Sequence, residues 1–574
     1  MNKTVLTRLA GLGLAGALAV SLAACGPATS DDSSSDGSTN GAVTYMEVAG
    51  IYDGVDPAAI YLGTELAAFR RIVYRGLTAL PITDDPNPVV QADLATDTGT
   101  TEDGGLTWTF TIKDGVKWED GSDLTADDFL YGLKRAYDAE LTNGTGVGTT
   151  YLAQYAPSVD YAGPFVSTPE QEASFAEHFF VEGNTITYTF DLPWPDFPYA
   201  AAALFTTDPY QESFDLGTQN LWKINSNGPY KLDGGTFDNN VGGTFVRNEN
   251  YDPATDSTEL REALPDTINF EWVADPDTLF NRLVADTGED KVAWTSGNIP
   301  ANFYSQITGP LVDRSLVTTS PYTRFLQINS LTLTDPLVRR ALVLATDKNG
   351  VIQAWGGDNF GTPGSTIASS ALPGWVENPS TVDDNPDGDP EAAKALLAEA
   401  GQPNPVIRYA FADTPINQGV AAVLQQSWEE AGFAVTLSPI PTDATPGYYG
   451  QVSQKEKPFD VFLAGWAADW PSLFGVIPPI LQSNPADATA GVGFNYGFYS
   501  NPEVDDLIAQ ATTAADSSEQ IALLQEADAV AGADAAYLPL LNQKNWFLYG
   551  SGLGGFLPTA AASYYPDFGS IYAK

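Results

Sequence analysis

One cysteine, one histidine and two methionines are all that the 574 residues hold of those three types. A lone Cys25 excludes a disulfide within the chain. With His178 as the single histidine there is no Cys–His pair and no zinc cluster. A Ser-His-Asp triad would have to use His178, and no nucleophile-elbow motif surrounds a serine; the histidine reads as a surface or packing residue. Cationic side chains are scarce as well: 26 Lys and Arg stand against 73 Asp and Glu, a formal net charge of −47. Such a surface argues against nucleic acid and against peripheral binding to anionic lipid, both of which need basic patches. No Gly-rich phosphate loop is present, because Gly550 to Gly555 lacks the Lys-Ser/Thr that such a loop needs. The acidic run from Asp383 to Lys394 begins like a calcium loop. Lys394 occupies the place of the bidentate Glu, and Pro386 and Pro390 interrupt it. It reads as a connector before a helix capped by Asp389. No catalytic residue, metal site or cofactor is expected, and the chain does not read as an enzyme.

The start of the chain is informative. Lys3 and Arg8 precede an apolar run from Leu9 to Val20, and Leu22-Ala23-Ala24 ends in small residues before Cys25. This pattern is a secretory signal, too short for a comfortable membrane span. Leu-Ala-Ala-Cys resembles a bacterial lipobox. The resemblance implies cleavage after residue 24 and lipidation of Cys25, and two acyl chains suffice for stable anchoring. Residues 26–41 are Ser, Asp, Thr and Gly with almost nothing apolar, which makes 25–42 a flexible tether. The expected location is the extracytoplasmic face of the cell membrane.

Beyond the tether, aromatics at 11% and apolar residues at 43% of the whole chain support well-packed cores. Phe459 to Pro471 is the most pointed stretch. Val461 to Ala464 reads as a buried strand that ends in a turn at Gly465, followed by Trp466, Asp469 and Trp470. Between Asp460 and Asp487, Asp469 is the sole acidic residue and there is no Lys or Arg. A carboxylate among aromatics is costly unless something pairs with it. Either Asp469 caps the turn before Pro471 or pairs with a structural arginine from elsewhere, or its partner is a cation brought by a ligand.

Local patterns place several elements. Thr64 to Leu80 reads as an apolar helix with Leu66, Phe69, Val73 and Leu77 on one stripe. Thr107 to Ile112 and Ile186 to Leu192 alternate as strands, the first within a hairpin that feeds a helix capped by Thr125 with Asp128. Asx-Pro pairs at 275–276, 335–336, 389–390 and 501–502 open further helices. In the second half Val406 to Phe411, Phe433 to Leu437 and Val461 to Ala464 are strands. A helix from Asn417 to Ala431, closed by Gly432, separates the first two. That alternation implies parallel pairing, and ligands of such sheets sit beyond the carboxyl ends of strands. Asp469 lies just past such an end.

The wording of several stretches resembles the solute-binding proteins of the peptide/nickel class of ABC importers. The match runs from Asp93-Leu94-Ala95 through Gly105 to Phe110, Gly115-Val116-Lys117-Trp118 and Asp120-Gly121 to Leu124–Phe129. Asp56-Pro57, Tyr74 to Leu77, Gly228-Pro229-Tyr230, Asn248 to Tyr251, Asp335 to Asp347, Lys394 to Gly401, Trp466 to Asp469 and Tyr499 to Leu507 continue it in order. The resemblance implies an α/β, two-lobed, periplasmic-binding-protein-like fold with a hinge and an extra subdomain in lobe I. Residues 43–316 would form lobe I, 317–536 lobe II, and 537–574 would return to complete lobe I. It further implies a receptor that captures an oligopeptide or dipeptide and passes it to the permease subunits and ATPases of an ABC transporter. Nickel chelates, opines and oligosaccharides are the alternative solutes of the class. A monomer is expected.

In the peptide-binding members the Asp of Trp-x-x-Asp receives the ligand's N-terminal ammonium, which marks Asp469. The chain departs from many members just after it, with Trp470-Pro471-Ser472. Arg324 is a candidate for a ligand carboxylate, although a structural ion pair is the commoner fate of such an arginine. Trp466, Trp470 and Tyr496 are candidate aromatic walls, and equally candidate core residues. Tyr52, in the loop after the first strand, is a candidate from lobe I.

Overall fold

Strands with alternating burial assemble into two mixed sheets, each backed by its own apolar core. The computed structural model describes residues 41–574 apart from 49, 52, 53, 61, 142–146, 515 and 516. Cys25 and Tyr52 therefore lie outside the described residues. The first sheet has five strands, in the order Ala293–Trp294, Ala42–Glu47, Thr267–Trp272, Gly242–Arg247 and Tyr230–Leu232. Val43, Phe69, Phe245, Ile268 and Trp294 are fully buried in its core, which Leu553, Phe568 and Ile571 near the C-terminus also enter. The second sheet has six strands, in the order Gly361–Pro363, Tyr537–Leu548, Ser315–Ile328, Val461–Ala467, Val406–Ala412 and Ala434–Ile440. Its core holds Leu326, Val351, Ile407, Leu424 and Trp428.

The long strands Ser315–Ile328 and Tyr537–Leu548 run antiparallel and link the two bodies. Their pairing is interrupted between Thr319 and Thr323. On one side of the interruption Ser315 faces Leu548, and the Ile299 N–H donates to the Trp546 carbonyl at 2.9 Å. On the other side both strands lie within the six-stranded sheet. An unpaired step in a two-stranded ribbon is where bending costs least, because few ladder bonds have to distort.

Val406–Ala412 pairs in parallel with Ala434–Ile440 and with Val461–Ala467, with the helix Pro415–Glu430 between the first two in sequence. The Asx-Pro starts are as the sequence implies. Asp275 accepts from the Thr278 N–H at 2.8 Å, and Asp389 from the Ala392 N–H at 2.9 Å. The helix that follows Asp389 is Pro390–Glu399. Asp128 accepts from the Thr125 N–H at 2.8 Å at the start of the helix Ala126–Ala136.

Two local expectations are corrected. The helix expected over Thr64 to Leu80 runs only from Gly63 to Ile72. Val73 leaves the helical region, and the stripe divides: Leu66 and Phe69 enter the first sheet's core, whereas Leu77 enters a different one. The strand Thr107–Thr111 finds its main partner in Thr185–Thr189, in a three-stranded sheet completed by Phe179–Glu182. The expected local hairpin survives only as isolated bridges such as Thr100 to Thr109.

Residues of the signature motifs hold the fold together. Arg75 and Arg261 meet Asp93 and Asp256 in a fully buried quartet, with Arg75–Asp93 at 2.8 Å and Arg261–Asp256 at 3.0 Å. Burial pushes the Asp93 carboxyl up, but the two guanidinium charges outweigh it and hold it well below the usual carboxylate range. Arg135 reaches Asp56 with both terminal nitrogens at 2.9 Å.

Candidate functional site

Asp469 sits two residues past Ala467, the last residue of its strand, in a cavity of about 440 Å³. Trp466, Trp470, Tyr322, Phe494 and Tyr496 line the same cavity, with Leu62 and Tyr565 from other parts of the chain. The Tyr151 hydroxyl donates to Asp469 Oδ2. No Lys or Arg among the described residues pairs with the carboxylate. Burial pushes its pKa up to about 6, against which the Tyr151 hydrogen bond pulls downward. The structural arginine that the sequence left open is absent among the described residues, and a half-buried carboxylate lines the cavity with the Tyr151 hydroxyl as its partner.

The aromatic residues divide their work between packing and lining. The Trp466 indole N–H donates to the Gly475 carbonyl at 2.7 Å, and its ring lies 3.7 Å from that of Phe494. The Trp470 indole N–H donates to Asp196 Oδ2 at 2.5 Å, 274 residues away in sequence. Tyr151 packs edge-on against Trp470 at 4.7 Å, and Trp194 lies 5.9 Å from it. Trp466 and Trp470 are therefore core residues whose remaining surface lines the cavity. Tyr496 lines it beside Phe494, with ring centroids 5.3 Å apart.

Arg324 occupies a second cavity, of about 450 Å³, which shares Leu62, Tyr322 and Tyr565 with the first. The two are adjoining compartments of one cleft. The guanidinium lies 5.0 Å from the Trp355 ring and 5.5 Å from that of Tyr322, and Nε donates to Gln543 at 3.1 Å. No carboxylate among the described residues forms an ion pair with it, which corrects the expected structural pair. Burial lowers its pKa from the usual value. Space for it comes from Gly465, the residue opposite in the ladder, where a Cβ would stand 2.4 Å from Nη1.

Of the predicted site residues, Asp469, Trp466, Trp470 and Tyr496 come together in one cavity, and Arg324 in the next. Tyr151 and Asp196 were not found by sequence reasoning. No local signal marks them, since both act across hundreds of residues of chain. His178 contacts Ser158 and Asp191 away from the cleft, and among the described residues no cluster of His, Cys, Asp and Glu is arranged to hold a metal. No described helix is long and apolar enough to cross a membrane.

Comparison with known proteins gives the family and the fold. The chain is 25% identical over 473 residues to the glutathione-binding protein GsiB of Shigella flexneri and to that of Escherichia coli K12, covering 80% of this chain and 81% of each relative. Among solved structures, the clavulanic acid biosynthesis oligopeptide binding protein 2 superposes with a TM-score of 0.77 at 22% identity, over 93% of this chain and 95% of that one. The open, unliganded form of the periplasmic murein tripeptide binding protein MppA gives 0.70 at 19% identity, over 93% and 97%. These neighbours have the two-lobed α/β fold of periplasmic binding proteins. The family described as bacterial extracellular solute-binding proteins, family 5 Middle, matches residues 89–488, and with more than half of its length inside that match the chain belongs to this family of binding proteins, not enzymes.

Proposed function

We propose that the chain is a lipid-anchored receptor that captures a short peptide outside the cell and delivers it to the permease and ATPase subunits of an ABC transporter. One observation carries the peptide reading: Asp469 is a half-buried carboxylate lining the cavity, with its pKa raised and no cation among the described residues to pair with it. A ligand ammonium entering that compartment would make a charge-assisted hydrogen bond to Asp469. A tyrosine hydroxyl both donates and accepts, so Tyr151, still donating to Asp469, can accept from the same ammonium. The aromatic walls from Trp466, Trp470 and Tyr496 suit the first residue of a peptide, and Arg324 suits an anionic group further along. The names of relatives, glutathione-binding and oligopeptide-binding, point to the same chemistry.

In this reading residues 43–316 form lobe I, 317–536 lobe II, and 537–574 carry the chain back. The interrupted ribbon provides the two crossings and the hinge. Residues 537–542 pair within the six-stranded sheet, so the return takes effect beyond the interruption. Tyr151–Asp469 and Trp470–Asp196 are then contacts between the lobes, which ligand-driven closure would strengthen. The lipid on Cys25 holds the receptor, a monomer, at the extracytoplasmic face.

A thermal-shift screen of the full-length chain tests this against peptides, nickel chelates, opines and oligosaccharides. A ligand at about 100 times its Kd adds roughly 2.7 kcal/mol of stability. Stabilisation by peptides that disappears on N-acetylation is the expected result. Stabilisation by sugars or chelates alone would overturn the peptide reading and the role of Asp469.

A further inference from the structure

The compartment next to Asp469 contains two half-buried charges, Arg324 and Glu47, that no described residue neutralises. Other buried arginines of the described chain are satisfied from within it. Arg70 meets Asp208 at 2.6 Å, Arg71 meets Asp567 at 2.9 Å, and Arg135 meets Asp56 and Asp215. Arg339 donates to the backbone carbonyls of Leu333, Thr334, Asp534 and Ala535. Arg324 differs. Its Nε reaches Gln543, while neither Nη atom has an acceptor among the described residues, and the side chain lines the cavity.

Glu47, at the end of the strand Ala42–Glu47, lines the same cavity. Its carboxylate accepts from the Val48 N–H at 2.9 Å and from the Tyr45 hydroxyl at 3.2 Å, and no cation among the described residues pairs with it. Burial raises its pKa. Glu65 lines the cavity as well. Glu47 and Arg324 line this one cavity without forming an ion pair with each other. Two uncompensated opposite charges in one cavity are costly in water's absence, and a group that carries the complementary pair would relieve both.

We propose that this cavity is the subsite for the C-terminal residue of the peptide and that it selects a basic one, with the terminal carboxylate on Arg324 and the side-chain amine or guanidine on Glu47. A planar guanidinium receives a carboxylate through two parallel hydrogen bonds. Gly465 is the residue that leaves the guanidinium its position, since any Cβ there would displace it. The proposal rests on the peptide reading above and adds to it the identity of the residue at the far end.

Isothermal titration calorimetry on the full-length chain tests it with di-, tri- and tetrapeptides of alanine that end in lysine, in norleucine, or in lysine amide. At the length that binds best, the lysine peptide is expected to bind at least tenfold tighter than the norleucine peptide, and amidation to weaken binding at least tenfold. Glu47→Gln should erase the preference for lysine over norleucine while N-acetylation still abolishes binding. Arg324→Gln should erase the effect of amidation. Equal affinity for lysine and norleucine peptides in the unmodified chain, with N-acetylation still abolishing binding, would overturn the subsite and leave the peptide receptor standing. Absence of binding by every peptide would overturn both. The comparison among ligands on the unmodified chain decides the matter even where a variant fails to fold.

Discussion

Replacing Asp469 by Asn keeps the size of the side chain and an acceptor for Tyr151 while deleting the charge. Burial pushes the carboxyl pKa up to about 6, against an ordinary value of 3.8. One pKa unit corresponds to about 1.4 kcal/mol, so ionising this group in the folded chain costs up to ~3 kcal/mol. The side chain keeps partial exposure, and solvent screening reduces the figure to about 1–2 kcal/mol. The sign follows from linkage. With the folded pKa above the unfolded one, the penalty is absent below pH 3.8, grows between 3.8 and about 6, and is complete above that. Asp469→Asn should therefore raise the stability of the ligand-free chain at pH 7.5 and leave it unchanged near pH 3.5. At roughly 1 °C per kcal/mol for a chain of this length, the rise in Tm is about 1–2 °C by calorimetry.

Binding should move the opposite way. Leaving a buried ammonium without its partner costs roughly 3–5 kcal/mol, a loss of at least a hundredfold in peptide affinity. For the unmodified chain, about one Asp469 in ten is ionised at pH 5, so affinity for an N-terminally free peptide should fall about tenfold from pH 7.5 to pH 5. The Asn variant's residual binding should show no such dependence. A lower Tm for the variant at pH 7.5, an affinity within threefold of the parent, or a flat pH profile for the parent would refute the assignment.

Tyr151→Phe removes the hydrogen bond that pulls the Asp469 pKa down; the pH midpoint of peptide binding, read by calorimetric titration, should shift upward, with a loss of about 1 kcal/mol in affinity. Gly465→Ala drives a methyl group against the Arg324 guanidinium, so peptides with a free C-terminus should lose about tenfold in affinity and amidated ones should not, while sensitivity to N-acetylation persists. Arg75→Met breaks the buried quartet from one side; thermal unfolding should show a loss of roughly 3–5 kcal/mol with ligand selectivity unchanged in the protein that remains folded.

What could be read from the sequence was local. An Asx residue before a proline starts a helix by a mechanism complete within four residues, and the structure has all four such helices. Strand, helix, strand in the second half implied parallel pairing, and Asp469 past a strand end implied a ligand-facing residue. Long-range pairing was beyond such reading. Thr107–Thr111 chose a partner more than seventy residues later, because the apolar face of Thr185–Thr189 offers a fuller ladder than the nearby turn. Leu77 matched the helical period of Leu66 and Phe69 but belongs to another core, since Arg75 between them is drawn into the buried quartet. Tyr151 is 318 residues from Asp469, and nothing around it in the chain signals that contact.

The residues that carried the family resemblance and those that face the cleft are largely different sets. Asp93, Arg75, Asp56 and Asp128 from the quoted motifs sit in buried ion pairs and a helix cap, where the requirement is the same whatever the solute. Asp469 is the exception, a motif residue whose charge is left open toward the cleft. Arg324 and Glu47 lie outside the quoted motifs and, like Asp469, have no oppositely charged partner among the described residues. With 73 acids available to 26 bases, buried Arg70, Arg71, Arg75, Arg135 and Arg261 each meet a carboxylate. Arg324 meets none among the described residues: Gly465 leaves it space, Tyr322 and Trp355 flank the guanidinium, and the side chain lines the cavity. The paired arginines and aspartates named above serve the fold, whereas the proposed selectivity rests on Asp469, Arg324 and Glu47.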